Sequence, residues 1–257
     1  MKTEESTILE VRELNKSFGG LKALNDVSFS IREGRISALI GPNGAGKTTL
    51  LNVISGMEAP DSGKIIFYGK NMVGLKTWQI TEKGICRTFQ AGRVFQKMTV
   101  LENILTGIHV RANSGWLSGM FHWPWERREE KRLESRAFEL LEYFSLADVA
   151  YELAGNIPLI SQRKLEIARA LANRPKLLLL DEPVAGLNMR ETEEMGEIIK
   201  NLLSFDVTIL LVEHDMNLVM SLADWIVVLQ HGQKIATGTP GEVRNNPQVI
   251  SAYLGNE

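Results

Sequence analysis

The sequence has little cysteine and no long apolar run. Cys86 is the single cysteine among 257 residues, so the chain cannot form a disulfide with itself. A helix that crosses a bilayer needs about 20 apolar residues, and runs such as Leu177 to Leu180 are far shorter. The opening residues MKTEESTILE also lack the apolar stretch of a secretory signal. We therefore expect a protein of the reducing cytoplasm.

An excess of charge of one sign is also missing. Lys and Arg number 29 against 31 Asp and Glu, which gives a net charge of −2. Proteins that bind nucleic acids usually present a broad basic surface, so we expect no nucleic-acid partner. Hydrophobic residues make up 44% of the chain, enough for a full core, and the length is at the upper end of one domain. We expect a single domain over residues 1–257.

The pattern of apolar residues predicts an α/β fold. Short β-type runs near the start predict an antiparallel region, and later buried-type runs predict a mostly parallel sheet with helices on both faces. The early runs are Ile8 to Leu14, Val27 to Ile31 and Arg35 to Ile40, and the later ones are Leu177 to Asp181, Thr208 to Val212 and Trp225 to Leu229.

Strand signals vanish over residues 91–172. Helical stretches follow one another there, at Val100 to Val110, Glu126 to Phe144 and Gln162 to Ala172. We interpret residues 91–172 as a helical subdomain inserted into a core formed by residues 1–90 and 173–257.

A glycine-rich loop with a lysine follows the predicted strand that ends at Ile40. Its letters GPNGAGKTT fit the phosphate-loop pattern G-x-x-x-x-G-K-[ST], and a helical stretch follows. Backbone N–H groups and the helix N-terminus attract phosphates, Lys47 reaches the β- and γ-phosphates, and the Thr48 hydroxyl can ligate Mg²⁺. We expect the nucleotide to be bound by Gly41, Pro42, Asn43, Gly44, Ala45, Gly46, Lys47, Thr48 and Thr49.

Two carboxylates follow the buried run Leu177 to Leu180. Asp181 and Glu182 stand at the C-terminal end of this predicted strand, where open α/β sheets bind their ligands. Asp181 suits the Mg²⁺ shell, and Glu182 suits a general base that polarises the attacking water. A turn without chemistry is the alternative, but a phosphate loop needs a carboxylate that holds the metal.

The phosphate loop, the helical insert and the Leu-Leu-Asp-Glu-Pro segment occur in this order in the ATP-binding cassette family, which the whole chain resembles. The resemblance implies a P-loop NTPase core of the RecA-like type, ATP and Mg²⁺ as cofactors, and ATPase activity. It further implies that Phe18 stacks on adenine, that Gln90 senses Mg²⁺ and the γ-phosphate, and that His214 is the switch histidine. The segment AGLN that begins at Ala185 resembles the loop that crosses the dimer interface.

A closer likeness is to the branched-chain amino acid importers. It is carried by the segments FGGLKAL, RTFQ, LEIARAL and AGLN, and the long insert from Ala112 to Arg136 resembles that of the larger, LivG-type subunit. The likeness implies a second ATPase subunit, permease subunits that dock near Ala91 to Glu102, and a solute-binding protein. It implies a peripheral position on the cytoplasmic face of the inner membrane. Urea or amide importers and lipid or lipopolysaccharide exporters remain alternatives.

One motif departs from the family pattern. The family has an L-S-G-G-Q-like signature before the helix that leads to the acidic strand, but this chain has IPLIS, from Ile157 to Ser161. Pro158 has no N–H to donate, and Leu159 and Ile160 add side chains where glycine allows close approach. Ser161 is expected to act only as the N-cap of the following helix.

The altered signature has a consequence for assembly. ATP sites of this family lie between two subunits, so a homodimer would have two damaged sites, whereas a heterodimer could keep one intact. We therefore favour a heterodimer, with a homodimer or a nucleotide-binding subunit of impaired hydrolysis as alternatives. A DNA-repair ATPase is disfavoured because heptads and further cysteines are lacking.

Overall fold

A computed structural model describes residues 6–88, 94–109 and 124–254 of the chain. The strands are β1 Thr7–Phe18, β2 Leu21–Arg32, β3 Ile36–Ile40, β4 Ser62–Phe67, β5 Lys70–Asn71, β6 Ile85–Arg87, β7 Leu177–Asp181, β8 Thr208–Val212, β9 Trp225–Gln230 and β10 Gln233–Gly238. The helices are α1 Lys47–Ile54, α2 Thr77–Lys83, α3 Val100–His109, α4 Pro124–Tyr143, α5 Leu159–Ala172, α6 Met189–Asn201, α7 Met216–Leu222, α8 Pro240–Arg244 and α9 Pro247–Leu254, with 3₁₀ turns at Ala147–Val149 and Leu202–Phe205.

The first sheet is antiparallel and has the order β2-β1-β4-β5. β1 and β2 form a hairpin whose turn contains Gly19 and Gly20, both with positive φ. Glycine adopts such angles without a Cβ clash, which is why the chain can reverse there. The predicted antiparallel region is confirmed for β1 and β2, which are longer than the sequence pattern indicated. The third early run, Arg35 to Ile40, instead forms β3 of the other sheet, where it pairs in parallel with β8 and β9.

The second sheet has the order β10-β9-β3-β8-β7-β6. All neighbouring strands in it are parallel except β9 and β10, which are antiparallel. The predicted, mostly parallel sheet is therefore confirmed. Its central strands β3, β7 and β8 are buried along their whole length, as expected for a parallel sheet covered on both faces.

The side chains of β7 divide the core between the two faces of this sheet. Leu178 and Leu180 pack with the helices α3, α4 and α5, whereas Leu177 and Leu179 pack with α1 and the antiparallel sheet. Successive side chains of a strand point to opposite faces, so a run of four leucines supplies both cores. This double burial fixes the strand whose end carries Asp181 and Glu182.

Helices dominate the described residues between 94 and 172. α3 packs on α5 and α4, and within this described part the only β-type pairing is an isolated bridge between Thr99 and Leu153. The predicted helical character is confirmed there. In the described part of the chain, no helix combines the length and the apolar character needed to cross a bilayer.

The start of α5 differs from the prediction. The helix begins at Leu159 and Pro158 occupies the N-cap, without a side-chain cap bond. Ser161 lies inside the first turn, so its predicted role as the N-cap is wrong. Proline has no N–H that would need a partner and its ring fixes a φ close to the helical value, so it is well tolerated at a helix start.

Candidate functional site

The phosphate loop joins the end of β3 to the start of α1. Gly41, Gly44 and Gly46 all have positive φ. A Cβ on Gly41 would lie 2.1 Å from the carbonyl oxygen of Leu229, and one on Gly46 would lie 2.5 Å from that of Ala23. Only glycine fits these two positions, which explains why the loop can pack so closely against β9 and β2.

Lys47 is the first residue of α1, and its side chain folds back over the loop. Nζ donates hydrogen bonds to the carbonyl oxygens of Gly41 at 2.6 Å and Pro42 at 3.1 Å. Burial lowers the pKa of Lys47, while the nearby carboxylates of Glu182 and Asp181 act in the opposite direction. The ammonium group is therefore held beside the loop and within the field of the acidic strand end.

A cleft of about 520 Å³ opens over the loop. It is lined by the loop residues from Asn43 to Thr49 and also by Phe18 and Glu182. Phe18 is 44% exposed as a residue and Lys16 Nζ lies 5.1 Å from the centroid of its ring, so the ring remains accessible at the cleft, with Lys16 over one face. The structure thus brings together the predicted loop, Phe18 and Glu182.

Other residues of the cleft were not predicted. His231 lines it, together with Leu21, Lys22 and Ala23 of the β1–β2 hairpin. Gly232 N–H donates to Ala45 O at 3.0 Å, which holds the β9–β10 turn against the loop, and Asn25 N–H of β2 donates to Gly232 O at 2.8 Å. These contacts join distant parts of the chain, so no local sequence signal could have revealed them.

Asp181 ends β7 as a buried carboxylate. Its Oδ2 accepts a hydrogen bond from Arg87 Nη2 at 2.8 Å, and Arg87 Nη1 also donates to Asn52 Oδ1 of α1 at 2.7 Å. Burial raises the pKa of Asp181 and the Arg87 bond opposes that rise. Asp181 Oδ1 is buried without a hydrogen-bond partner among the described residues. A buried carboxylate oxygen without a donor suits a cation, so the site fits Mg²⁺.

Glu182 follows β7 in a left-handed backbone conformation, with φ of 50°. Few residues other than glycine adopt it. Its N–H donates to Val212 O at 2.9 Å, and its carbonyl accepts from Ala185 N–H at 3.1 Å. These bonds hold a turn that places the Glu182 side chain on the wall of the cleft.

His214 follows β8, which pairs with β7 so that Asp181 lies opposite Val212. The side chain is 64% exposed, and its Nδ1 lies 3.7 Å from Glu213 Oε2. His214 is not among the described residues that line the cleft. Sheet register therefore brings the histidine to the same edge as Glu182, while its predicted contact with a γ-phosphate stays a prediction.

The altered signature, Ile157 to Ser161, leads into α5 and contributes Leu159, Ile160 and Ser161 to its first turn. Leu159 is 41% exposed, and a Cβ added to Gly186 would lie 3.1 Å from Leu159 Cδ2. Arg163 Nη2 donates to Ala185 O at 3.1 Å. The predicted interface loop that begins at Ala185 thus lies beside an apolar helix start. Gln90 lies outside the described residues, as does the start of the segment from Ala91 to Glu102.

Comparisons with known proteins agree with this geometry. The family model described as ABC transporter matches residues 24–185, and that described as branched-chain amino acid ATP-binding cassette transporter matches residues 233–257. The high-affinity branched-chain amino acid transport ATP-binding protein BraF of Pseudomonas aeruginosa is 46% identical over 249 residues, which are 96% of this chain and 98% of that protein.

Solved structures show the same architecture. A nucleotide-free ATP-binding cassette from an ABC transporter matches with a TM-score of 0.85 and 33% identity, over 98% of this chain and all of that one. A dimeric cassette in a post-hydrolysis state, bound to ADP and Pi, matches with a TM-score of 0.76 and 25% identity, over 91% and 99% of the two chains. The loop, the acidic strand end and these likenesses agree, and the chain belongs to the ATP-binding proteins of ABC transporters.

Proposed function

We propose that this chain hydrolyses ATP to drive the import of branched-chain amino acids through a membrane permease. The observation that carries the proposal is a single cleft lined by both Lys47 of the phosphate loop and Glu182 of the acidic strand end. The cargo is taken from the name of the relative from Pseudomonas aeruginosa and from the match of residues 233–257. Urea, amide and lipid transport are the alternatives.

The triphosphate would occupy the loop between β3 and α1. Backbone N–H groups and the N-terminus of α1 supply partial positive charge, and Lys47 adds a full charge once it turns from the Gly41 and Pro42 carbonyls to the β- and γ-phosphates. The accessible ring of Phe18 at the cleft would receive the adenine ring. Asn43, Gly44, Ala45, Gly46 and Thr49 complete the cradle.

Thr48, Gln90 and Asp181 are the residues proposed to hold Mg²⁺. Thr48 is exposed on the first turn of α1, and the unpartnered Oδ1 of Asp181 is the best-placed buried oxygen. When bound, the ion neutralises phosphate charge during transfer. The hydrogen bond from Arg87 to Oδ2 would favour the ionised form of Asp181 and hold its side chain in one rotamer. Oδ1 would then be available to the metal ion.

Glu182 is proposed as the general base. Its carboxylate would accept the proton of a water molecule whose oxygen attacks the γ-phosphorus, as ADP leaves on the opposite side. His214 would donate a hydrogen bond to the γ-phosphate, where charge develops. Gln90 would sense the γ-phosphate from the segment that follows β6.

The test is the substitution Glu182→Gln in the transporter complex isolated through a tag on this chain. It removes the base and keeps the shape, so ATP turnover should fall by about 100-fold or more. Glu242→Gln, which alters an exposed carboxylate at the start of α8, is the matched control and should hydrolyse normally. Turnover that survives Glu182→Gln would refute the assigned base.

Cargo needs a separate experiment. Cells that lack this chain should lose uptake of labelled leucine, isoleucine and valine and regain it with the wild-type chain but not with Glu182→Gln. Urea uptake serves as the comparison. Loss of urea uptake with intact leucine uptake would favour the alternative importer.

We infer an asymmetric pair of ATPase subunits. The apolar start of α5 offers the partner's nucleotide the side chains of Leu159 and Ile160 and, at Pro158, no N–H. Lys47, Asp181, Glu182 and His214 of this chain would then hydrolyse ATP against an intact signature of a second, different subunit. The dimeric relative bound to ADP and Pi supports pairing in general. A homodimer and a subunit of impaired hydrolysis are the competing assemblies.

The permease is proposed to dock near the segment from Ala91 to Glu102, part of the inserted subdomain of residues 91–172 that interrupts the nucleotide-binding core. In the described part of this segment, Phe95 and Met98 are exposed apolar side chains. Docking there would hold the chain on the cytoplasmic face of the inner membrane. A solute-binding protein would act on the permease from the other side.

A further inference from the structure

Glu213 is a buried acid that the proposed mechanism leaves without a role. It follows β8, stands between Val212 and His214, and is 0% exposed. Burial raises the pKa of Glu213, and hydrogen bonds from backbone N–H groups oppose that rise. A carboxyl group enclosed in this way needs specific partners, because removing a polar group from water is costly otherwise.

The two carboxylate oxygens of Glu213 reach two different loops. Oε1 accepts a hydrogen bond from Val184 N–H at 3.1 Å, and Oε2 accepts one from His214 N–H at 3.1 Å. Val184 lies two residues after Glu182, in the turn that follows β7. One side chain therefore joins the turn of the proposed base to the backbone of the proposed switch histidine.

The turn that Glu213 holds is conformationally demanding. Glu182 has a φ of 50°, which a residue with a side chain keeps only where its surroundings enforce it. On its N-terminal side the turn is fixed by the bond from Glu182 N–H to Val212 O. On its C-terminal side the turn is fixed by the hydrogen bond from Val184 N–H to Glu213 Oε1.

We propose that Glu213 is a positioning residue of the hydrolytic site, which fixes the Glu182 turn relative to His214. The inference rests on the roles proposed above for Glu182 and His214. Glu213 touches neither the cleft nor, by this proposal, any substrate; it acts through the two loops that it joins. Small displacements of catalytic groups lower the reaction rate strongly, since a shift of about 1 Å can reduce the rate by about 100-fold.

The chemistry of the two bonds explains why a carboxylate is needed. Both backbone partners are donors, and only a carboxylate offers an acceptor at both positions. In Glu213→Gln one position becomes an NH₂ group facing an N–H donor, so one of the two loops must move. Glu213→Asp keeps two acceptors but shortens the reach by one methylene.

The test compares Glu213→Gln, Glu213→Asp and the control Glu242→Gln in the transporter complex isolated through a tag on this chain. Glu242 also accepts a backbone N–H, from Thr239 at 2.7 Å, but at the exposed start of α8. Glu213→Gln should lower kcat by about 10- to 100-fold while KM for ATP stays within about threefold. Glu213→Asp should retain more activity than Glu213→Gln, and the control should match the wild type.

A double-mutant cycle separates positioning from a general loss of structure. On the His214→Ala background, Glu213→Gln should lower the rate far less than it does alone, because one of the two groups whose relative position Glu213 fixes is gone. Equal losses on both backgrounds, a kcat within twofold of wild type, or a large rise in KM would each overturn the proposal. Should Glu213→Gln fail to fold, the same cycle with Glu213→Asp decides. If Glu182→Gln and His214→Ala both hydrolyse normally, the proposed function fails instead.

Discussion

At the scale of single residues, Lys47 lies at the phosphate position proposed above. Its ammonium group is buried against two carbonyls and its pKa is lowered by burial. Carbonyl groups of the loop satisfy the charge less completely than an anionic phosphate would. The side chain is therefore folded over the loop and close to the proposed phosphate position.

The substitution Lys47→Ala should abolish tight nucleotide binding. Loss of a charged donor to phosphate should raise the Kd for ATP by about 100-fold or more. Calorimetric titration with a non-hydrolysable ATP analogue measures the effect. Lys70→Ala, on the exposed strand β5, is the control and should bind normally; equal affinity of the two variants would contradict the role of Lys47.

A second residue-scale prediction concerns Gly41. Gly41→Ala should lower the free energy of unfolding by about 2–5 kcal/mol, because it combines an unfavourable φ with a clash. The clash is with the Leu229 carbonyl at 2.1 Å. Gly69 also has a positive φ, but a Cβ there would meet no neighbouring atom. Gly69→Ala therefore tests the effect of φ without a clash and should lower the free energy of unfolding by only about 1 kcal/mol. Urea denaturation measures the free energy of unfolding of both variants. Equal decreases for Gly41→Ala and Gly69→Ala would show that the close approach of Gly41 to β9 does not matter for stability.

At the scale of elements, the start of α5 is the part of this chain that would face a partner's nucleotide in the proposed assembly. The helix begins at Leu159 next to the loop that contains Gly186, and its first turn presents aliphatic side chains. A helix N-terminus attracts phosphate only where the anion can approach its N–H groups. In the proposed assembly, the side chains of Leu159 and Ile160 would obstruct the approach of a partner's phosphate to these N–H groups.

Replacing both side chains, in Leu159→Gly/Ile160→Gly, should raise ATP hydrolysis by the isolated chain. The γ-phosphate held by the other copy could then approach the N–H groups of α5 more closely, so phosphate release should increase by about tenfold or more. Each glycine should also destabilise the helix by about 1 kcal/mol. Leu159→Ala/Ile160→Ala is the matched control, because it shortens the same side chains and keeps a residue that favours helix. Its ATP hydrolysis should rise less than that of the double glycine variant. Adding Glu182→Gln to the double glycine variant should abolish the increase in ATP hydrolysis. If the double glycine variant binds ATP but hydrolyses it no faster than the wild type, the altered signature does not limit hydrolysis.

At the scale of the whole molecule, the two sheets meet over the phosphate loop. The β1–β2 hairpin supplies Phe18 and its neighbours, while the six-stranded sheet supplies the loop, the acidic strand end and the β9–β10 turn. The cleft over the loop is thus a junction between the two sheets.

The asymmetric assembly predicts the subunit count of the transporter. When two differently tagged copies of this chain are produced in one cell, isolation through one tag should recover the permease and a different ATPase but not the second tag. The physical reason is that two altered signatures would leave neither nucleotide a complete site. Quantitative blotting of both tags measures this, and recovery of the second tag in stoichiometric amount would establish a homodimer.

Local sequence predicted the elements that carry their own pattern. The strand, glycine loop and helix around Lys47 were predicted because glycine spacing and apolar runs are local, and the same holds for β7 and β8. By contrast β6 was missed because a strand of three residues depends on pairing with β7, a distant part of the chain, and β4, β5 and β10 were missed as well. The bond between Arg87 and Asp181 joins positions 94 residues apart and has no local signal.

The sequence by itself determined the glycine-rich loop, the acidic strand end and the departure at Pro158, because each depends on residue type and order along a few positions. Only the tertiary structure decided that His231 lines the cleft, that Ser161 lies inside α5, and that Glu213 joins the turn after β7 to the backbone of His214. These features arise where separate segments are brought together by burial of the sheet. Contacts of that kind depend on register and packing, which no short stretch of sequence specifies.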